Sequence, residues 1–220
     1  MKKIFIIGVV AVLTAGLLSF AFTANTVSLN DAIASGRGRH LLANETVEIA
    51  KMPATVEEFT AMRDELAKGP KGGYAMFVVA MLTYVKNKDL GLQFFTLIME
   101  QSNLTKSCRN VPTVKGYCPN SSAIYKIKML DTRLYLPGVY LVGTKVENGY
   151  KYTIPATVDF RQATIGGPEA ITLYGHTTSG NMARPISLRK NNKGIWKAYE
   201  FSSMFVGVSK IPRVQRNDDL

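Results

Sequence analysis

Helix-periodic segments fill the first half of this chain and alternating, turn-punctuated segments fill the second. That order predicts an α+β domain, with N-terminal helices packed on one face of a curved antiparallel sheet, preceded by a signal peptide or anchor. Three observations carry the prediction: a helix-start signature at Thr55, a nearly continuous apolar run from Tyr74 to Val85, and β-like alternation separated by Gly and Asn turns after Cys118.

The elements follow in order. Lys2 and Lys3, the apolar run Ile4 to Leu18 and the small residues around Ser19 to Ala24 have the build of a secretory signal, with Ser19-Phe20-Ala21 supplying small residues for cleavage near Ala21. Extended to Ala24, the same stretch at about 1.5 Å per residue just spans a hydrocarbon core of about 30 Å, so residues 1–24 are a signal peptide or an uncleaved membrane anchor. Either way the rest of the chain is expected outside the cytoplasm: secreted, periplasmic or anchored facing outward. Residues 25–45 are polar, and Gly36-Arg37-Gly38-Arg39-His40 reads as a flexible stem; its glycines lack the G-x-G-x-x-G spacing of a nucleotide loop. Thr46 to Lys51 reads as a short strand leading into a single domain over 46–212, with a polar tail at 213–220.

Thr55-Val56-Glu57-Glu58 is a capping box, and Phe59, Met62, Arg63 and Leu66 follow at helical spacing until Gly69-Pro70 stops the helix. Gly73 to Lys86 is apolar on nearly every side, which predicts a second helix buried all round. Asp89 is expected to cap a third, running to about Gln101 with Leu92, Phe94, Phe95, Ile98 and Met99 inward. Ser122 to Met129 alternates like a strand. Val139 to Val146 and Tyr150 to Phe160 flank Glu147-Asn148-Gly149, a hairpin signal, with Pro155 at an edge or bulge. A strand is expected near Ala170 to Tyr174, and a last hairpin joins Ile186–Lys190 to Ile195–Phe201 across Asn191 to Gly194.

The lone cysteines Cys108 and Cys118 are expected to form a disulfide in an oxidising compartment, closing a loop of about eleven residues. The chain-entropy model gives such a loop roughly 3 kcal/mol. A zinc site would need more ligands than these two and the only histidines, His40 and His176, so no metal or other cofactor is called for.

The formal charge is +11, or +9 once Lys2 and Lys3 leave with the signal. In an exported protein that surplus points to anionic lipid head groups, acidic envelope polymers or an exported protein partner rather than nucleic acid. Lys126, Lys128 and Arg133 lie in an acid-poor stretch, and Arg184, Arg189, Lys190 and Lys197 mark the last hairpin; together they are the candidate basic surface. Catalytic spacings such as H-E-x-x-H, G-x-S-x-G and the P-loop are missing from the sequence. The best local candidate for a pocket is the loop carrying His176, Thr177, Ser179 and Asn181, whose residue types also suit a turn.

Tyr135-Leu136-Pro137-Gly138-Val139-Tyr140-Leu141-Val142-Gly143, Asn148-Gly149-Tyr150, Arg184 to Lys190, and Trp196 through Ser202 to Val208 resemble an uncharacterised bacterial domain-of-unknown-function family of exported proteins. Pro53 to Phe59 matches its opening, and the likeness covers about Met52 to Pro212. Gly194 to Lys197 also resembles the last hairpin of NTF2-like and cystatin-like α+β rolls, which implies a sheet-core role for Trp196. Two functions follow as expectations. The first is a non-enzymatic binding module for an anionic envelope component or a protein partner; the alternative is a small hydrolase or ligand-binding roll with a pocket near His176.

Overall fold

The computed structural model describes residues 26–178 and 182–206. The expected signal or anchor and the tail at 213–220 lie outside them. Among the described residues no helix is long and apolar enough to cross a membrane.

The architecture is α+β. Strands β1 (Gly38–Ile49), β4 (Ala156–Gly167), β5 (Ala170–Gly175), β6 (Arg184–Lys190) and β7 (Trp196–Glu200) form one sheet in the order β1-β4-β5-β6-β7, every pairing antiparallel. Alternation sets its two faces: Ile171 and Leu173 of β5 point into the core, while Thr172 and Tyr174 are half-exposed. The β6–β7 turn is closed by the Asn191 side chain, which accepts from the amides of Lys193 and Ile195 at 3.0 and 2.9 Å, with Gly194 at φ 76°.

The helices α2 (Val56–Leu66), α3 (Pro70–Tyr84) and α4 (Lys88–Ile98) cover the inner face. Thr55 caps α2 by accepting from the Glu58 amide at 3.2 Å, while the Glu58 carboxylate accepts from the Ala54 amide at 2.9 Å, one residue before the cap. Pro70 ends one helix and begins the next: it is the first residue of α3, where its missing N–H costs nothing. Every α3 residue except Lys71 is buried, because the sheet lies against one side and α2, α4 and the turn at Leu136–Tyr140 enclose the rest. Gly73 lets α3 pack close against β7; a Cβ there would sit 2.9 Å from the Trp196 carbonyl oxygen. Phe77, Phe95, Phe201 and Phe205 fill the centre with ring centroids 5.0 to 6.5 Å apart.

Several expectations are corrected. The stretch expected as a flexible stem holds α1 (Leu29–Ser35) and the long strand β1, which extends well upstream of the short strand at Thr46. Gly36 and Gly38, at φ 90° and 150°, make the corner between them, and the Glu45 carboxylate fixes α1 by accepting from the Leu29 amide at 2.7 Å and from Lys71 Nζ at 2.5 Å. The cap of α4 is Asn87, which accepts from Leu90 N at 3.1 Å, and not Asp89. The alternation at Ser122 to Met129 is helix α5 (Ser121–Ile127): Asn120 caps it, Ala123 and Ile127 are buried four residues apart, and Tyr125 stands 76% exposed. The hairpin across Asn148-Gly149 has its turn but not its strands. Leu136 to Leu141 are buried consecutively rather than alternately, with Pro137 among them, so this segment winds as a short helical turn, and β4 begins only after Pro155.

The β7 edge is closed by the exit of α4. Met99 bridges Ala198, Glu100 N donates to Ala198 O at 2.8 Å, and Asn103 Nδ2 donates to Tyr199 O at 2.9 Å. The chain then enters a two-stranded ribbon, β2 (Leu104–Thr105) with β3 (Cys118–Pro119). The Cys108–Cys118 disulfide closes the loop between them, its Cα atoms 5.9 Å apart.

Candidate binding groove

This closed edge forms the floor of an open groove of about 1450 Å³. α2 supplies one wall through Val56, Thr60, Arg63 and Asp64; the disulfide loop supplies Val114, Lys115 and Tyr117; the β6–β7 hairpin supplies Arg189 to Lys193, Ile195 and Lys197. Leu97, Met99 and Leu104 lie along the bottom. Seven cations line it, Arg63, Lys68, Lys115, Arg189, Lys190, Lys193 and Lys197, against Glu57, Asp64 and Glu100. Two of the acids are already engaged: Asp64 pairs with Arg63 at 2.5 Å, and Glu100 accepts from the Ser102 amide at 3.3 Å.

The placement of these groups follows from local structure. Helix α4 ends with unsatisfied carbonyls, and the Leu97 oxygen accepts from Arg63 Nη1 at 3.2 Å and from Lys197 Nζ. Two cations therefore meet the negative end of a helix dipole. Burial of Lys197 and the nearby Arg63 charge push its ammonium pKa down to about 8, against a smaller opposing pull from Asp64. Arg189 lies directly across the ladder from Lys197, and its guanidinium stacks on Tyr199 at 3.5 Å. Lys190 lies over the Trp196 ring at 5.7 Å. Trp196 itself is buried in β7 and ties the sheet to α2 by donating its amide to Ala67 O at 2.8 Å.

Of the predicted basic surface, Arg189, Lys190 and Lys197 come together here, joined by Lys115 from the disulfide loop. The other four are elsewhere. Lys126 lies over the Phe201 ring at 5.1 Å and 3.8 Å from Glu200, Arg133 donates to Phe205 O, and Lys128 is exposed near Asp131. Arg184 sits by the buried tyrosines Tyr74 and Tyr140, whose hydroxyls donate to Met204 Sδ at 3.2 Å and Met204 O at 2.6 Å. Burial drives both phenols above their ordinary pKa, so they remain neutral ties from α3 and from the Leu136–Tyr140 turn to the C-terminal turn.

The described residues of the His176 loop are pinned by hydrogen bonds. His176 N donates to Asp159 O at 2.8 Å, Thr177 Oγ1 to Met182 O at 3.1 Å, and Thr178 N to Val139 O at 2.9 Å. Ser179 and Asn181 lie outside the described residues. His176 lines neither the groove nor a smaller depression of about 270 Å³ beside Tyr152. Among the described residues no group of three or more His, Cys, Asp or Glu is placed to hold a metal ion.

Arg63, Lys68, Tyr117 and Leu97 were not legible as groove residues. Arg63 did leave a signal, since it occupies an inward position of an amphipathic helix, where a long cation needs a partner.

A family model described as a domain of unknown function, DUF6935, matches residues 51–212, and the chain belongs to that family. No curated protein and no solved structure matches. Strand β1 precedes the matched region and still pairs with β4 along most of its length, so the sheet is wider than the family segment alone.

Proposed function

We propose that this member of a family of unknown function is a non-enzymatic extracytoplasmic binding module that holds an anionic envelope component in the groove between α2, the disulfide loop and the β6–β7 hairpin. The observation that carries this reading is the excess of cations around one cleft, seven against three acids, or six against two once the Arg63–Asp64 pair is set aside. Charges gathered in a concave, partly apolar site focus field and concentrate counter-ions more than the same charges dispersed on a convex surface. The formed disulfide suits an oxidising compartment, and it also builds one wall of the cleft.

The test is binding of the disulfide-intact protein to polyphosphate at about 50 mM and about 500 mM salt, a range across which exposed charges become heavily screened. Arg189→Glu with Lys193→Glu is expected to abolish low-salt binding, while Lys126→Glu with Lys128→Glu, outside the groove, leaves it in place. Equal losses in both variants, or no binding by the unaltered protein, would overturn the assignment.

A further inference from the structure

The groove is not uniformly polar, and the distribution of its apolar residues narrows the class of ligand. Val56 of α2, Leu97 at the α4 exit and Leu104 of β2 pack against the core yet remain partly exposed to the cleft, with Met99 beneath and Val114 facing it from the disulfide loop. Four of the seven cations, Arg189, Lys190, Lys193 and Lys197, come instead from the β6–β7 hairpin. A hydrophilic polyanion would satisfy the hairpin and leave the apolar strip wet.

We infer that the groove takes a single-chain anionic amphiphile, its acyl chain laid along Val56, Leu97, Leu104 and Val114 and its phosphate head held by Arg189 and Lys193. This rests on the anion-binding reading above and names the ligand class. Arg189 is stacked on Tyr199, which fixes its planar fork for phosphate oxygens, and Lys193 sits exposed at the hairpin tip as a point charge. Met99, 1% exposed and packed in the core, closes the floor beneath the apolar strip. The groove also exceeds the roughly 300–1,000 Å³ of ordinary small-molecule pockets, leaving room for both parts of such a ligand.

The experiment is calorimetric titration of the disulfide-intact protein with hexyl, octyl and decyl phosphate below their micellar concentrations, beside inorganic phosphate, decanol and polyphosphate. Affinity is expected to rise roughly fourfold per methylene buried, and to be lost with decanol, which lacks the head, and with inorganic phosphate, which lacks the chain. Arg189→Gln with Lys193→Gln should weaken every alkyl phosphate by a similar factor. Val114→Gln, in the surface loop, and Leu104→Gln should flatten the chain-length dependence. Binding of polyphosphate with no gain from chain length would overturn the amphiphile while the anion reading stands. Failure of all probes would remove both, and a chain-length dependence untouched by either pair of variants would place the alkyl contact outside the groove and refute the assignment.

Discussion

Lys197→Met separates the charge of the groove floor from its shape. The lysine stem is close to methionine in length, and the Leu97 carbonyl keeps its bond from Arg63 when the ammonium is removed. With a pKa held near 8 by burial and by Arg63, Lys197 is about ten-to-one protonated at pH 7 and about ten-to-one neutral at pH 9. A cation about 5 Å from an anionic head at an effective dielectric of about 20 is worth about 3 kcal/mol; the open, wetted groove reduces this to about 1 kcal/mol, or about fivefold in affinity. Affinity of the unaltered protein for an anionic probe is thus expected to fall about three- to fourfold between pH 7 and 9, and that of Lys197→Met to stay flat. The stability effect has the opposite sign. Since the folded pKa lies below the unfolded value of 10.5, the unfolded chain binds more protons between about pH 8 and 10.5, and stability contributed by this residue rises with pH across that window. Urea titrations of both proteins across the window give the difference directly. A pH-independent difference in stability, or the same affinity loss in both proteins, would refute the reasoning.

Four further outcomes test the scaffold. Replacing Cys108 and Cys118 by serine should cost roughly 3 kcal/mol in denaturant unfolding and weaken groove ligands, since the loop between them forms one wall. Gly175→Ala would put a Cβ 2.1 Å from the Tyr74 hydroxyl in the sealed core, and a loss of about 1–3 kcal/mol is expected from the same assay. Thr55→Ala removes the α2 cap and should cost about 1 kcal/mol. Burial raises the Glu45 pKa, but Lys71 and the Leu29 amide outweigh it and hold the carboxyl below its ordinary value. Its contribution is therefore present above the unfolded value of 4.5 and lost as pH falls through the folded one. Glu45→Gln should make unfolding less acid-sensitive, read by circular dichroism in that range.

The parts of the fold that were legible in the sequence are those where one local rule acts without competition. Thr55 and Glu58 announce a helix start, α3 is apolar on every side because it is enclosed on every side, and the Asn191–Gly194 turn leaves β6 and β7 little choice of partner. The failures have a common physical cause. Ala123, Tyr125, Ile127 and Met129 fit a period of two, but Ala123 and Ile127 also fit a helical i, i+4 pair, and the Asn120 cap decides between them by satisfying the Ala123 amide at 2.9 Å. Asn148-Gly149 does turn the chain, with Gly149 left-handed at φ 67°, yet a turn specifies a hairpin only when its flanks alternate, and Leu136 to Leu141 are buried without interruption. The groove was half legible for a related reason. Arg189, Lys190 and Lys197 are neighbours on one hairpin and could be grouped from sequence, whereas Arg63 and Lys115 reach them only because α4 ends at the β7 edge and the disulfide folds the next loop over it. That convergence depends on contacts between Leu97 and residues 34 and 100 positions away, and a charge pattern read along the chain carries no record of it.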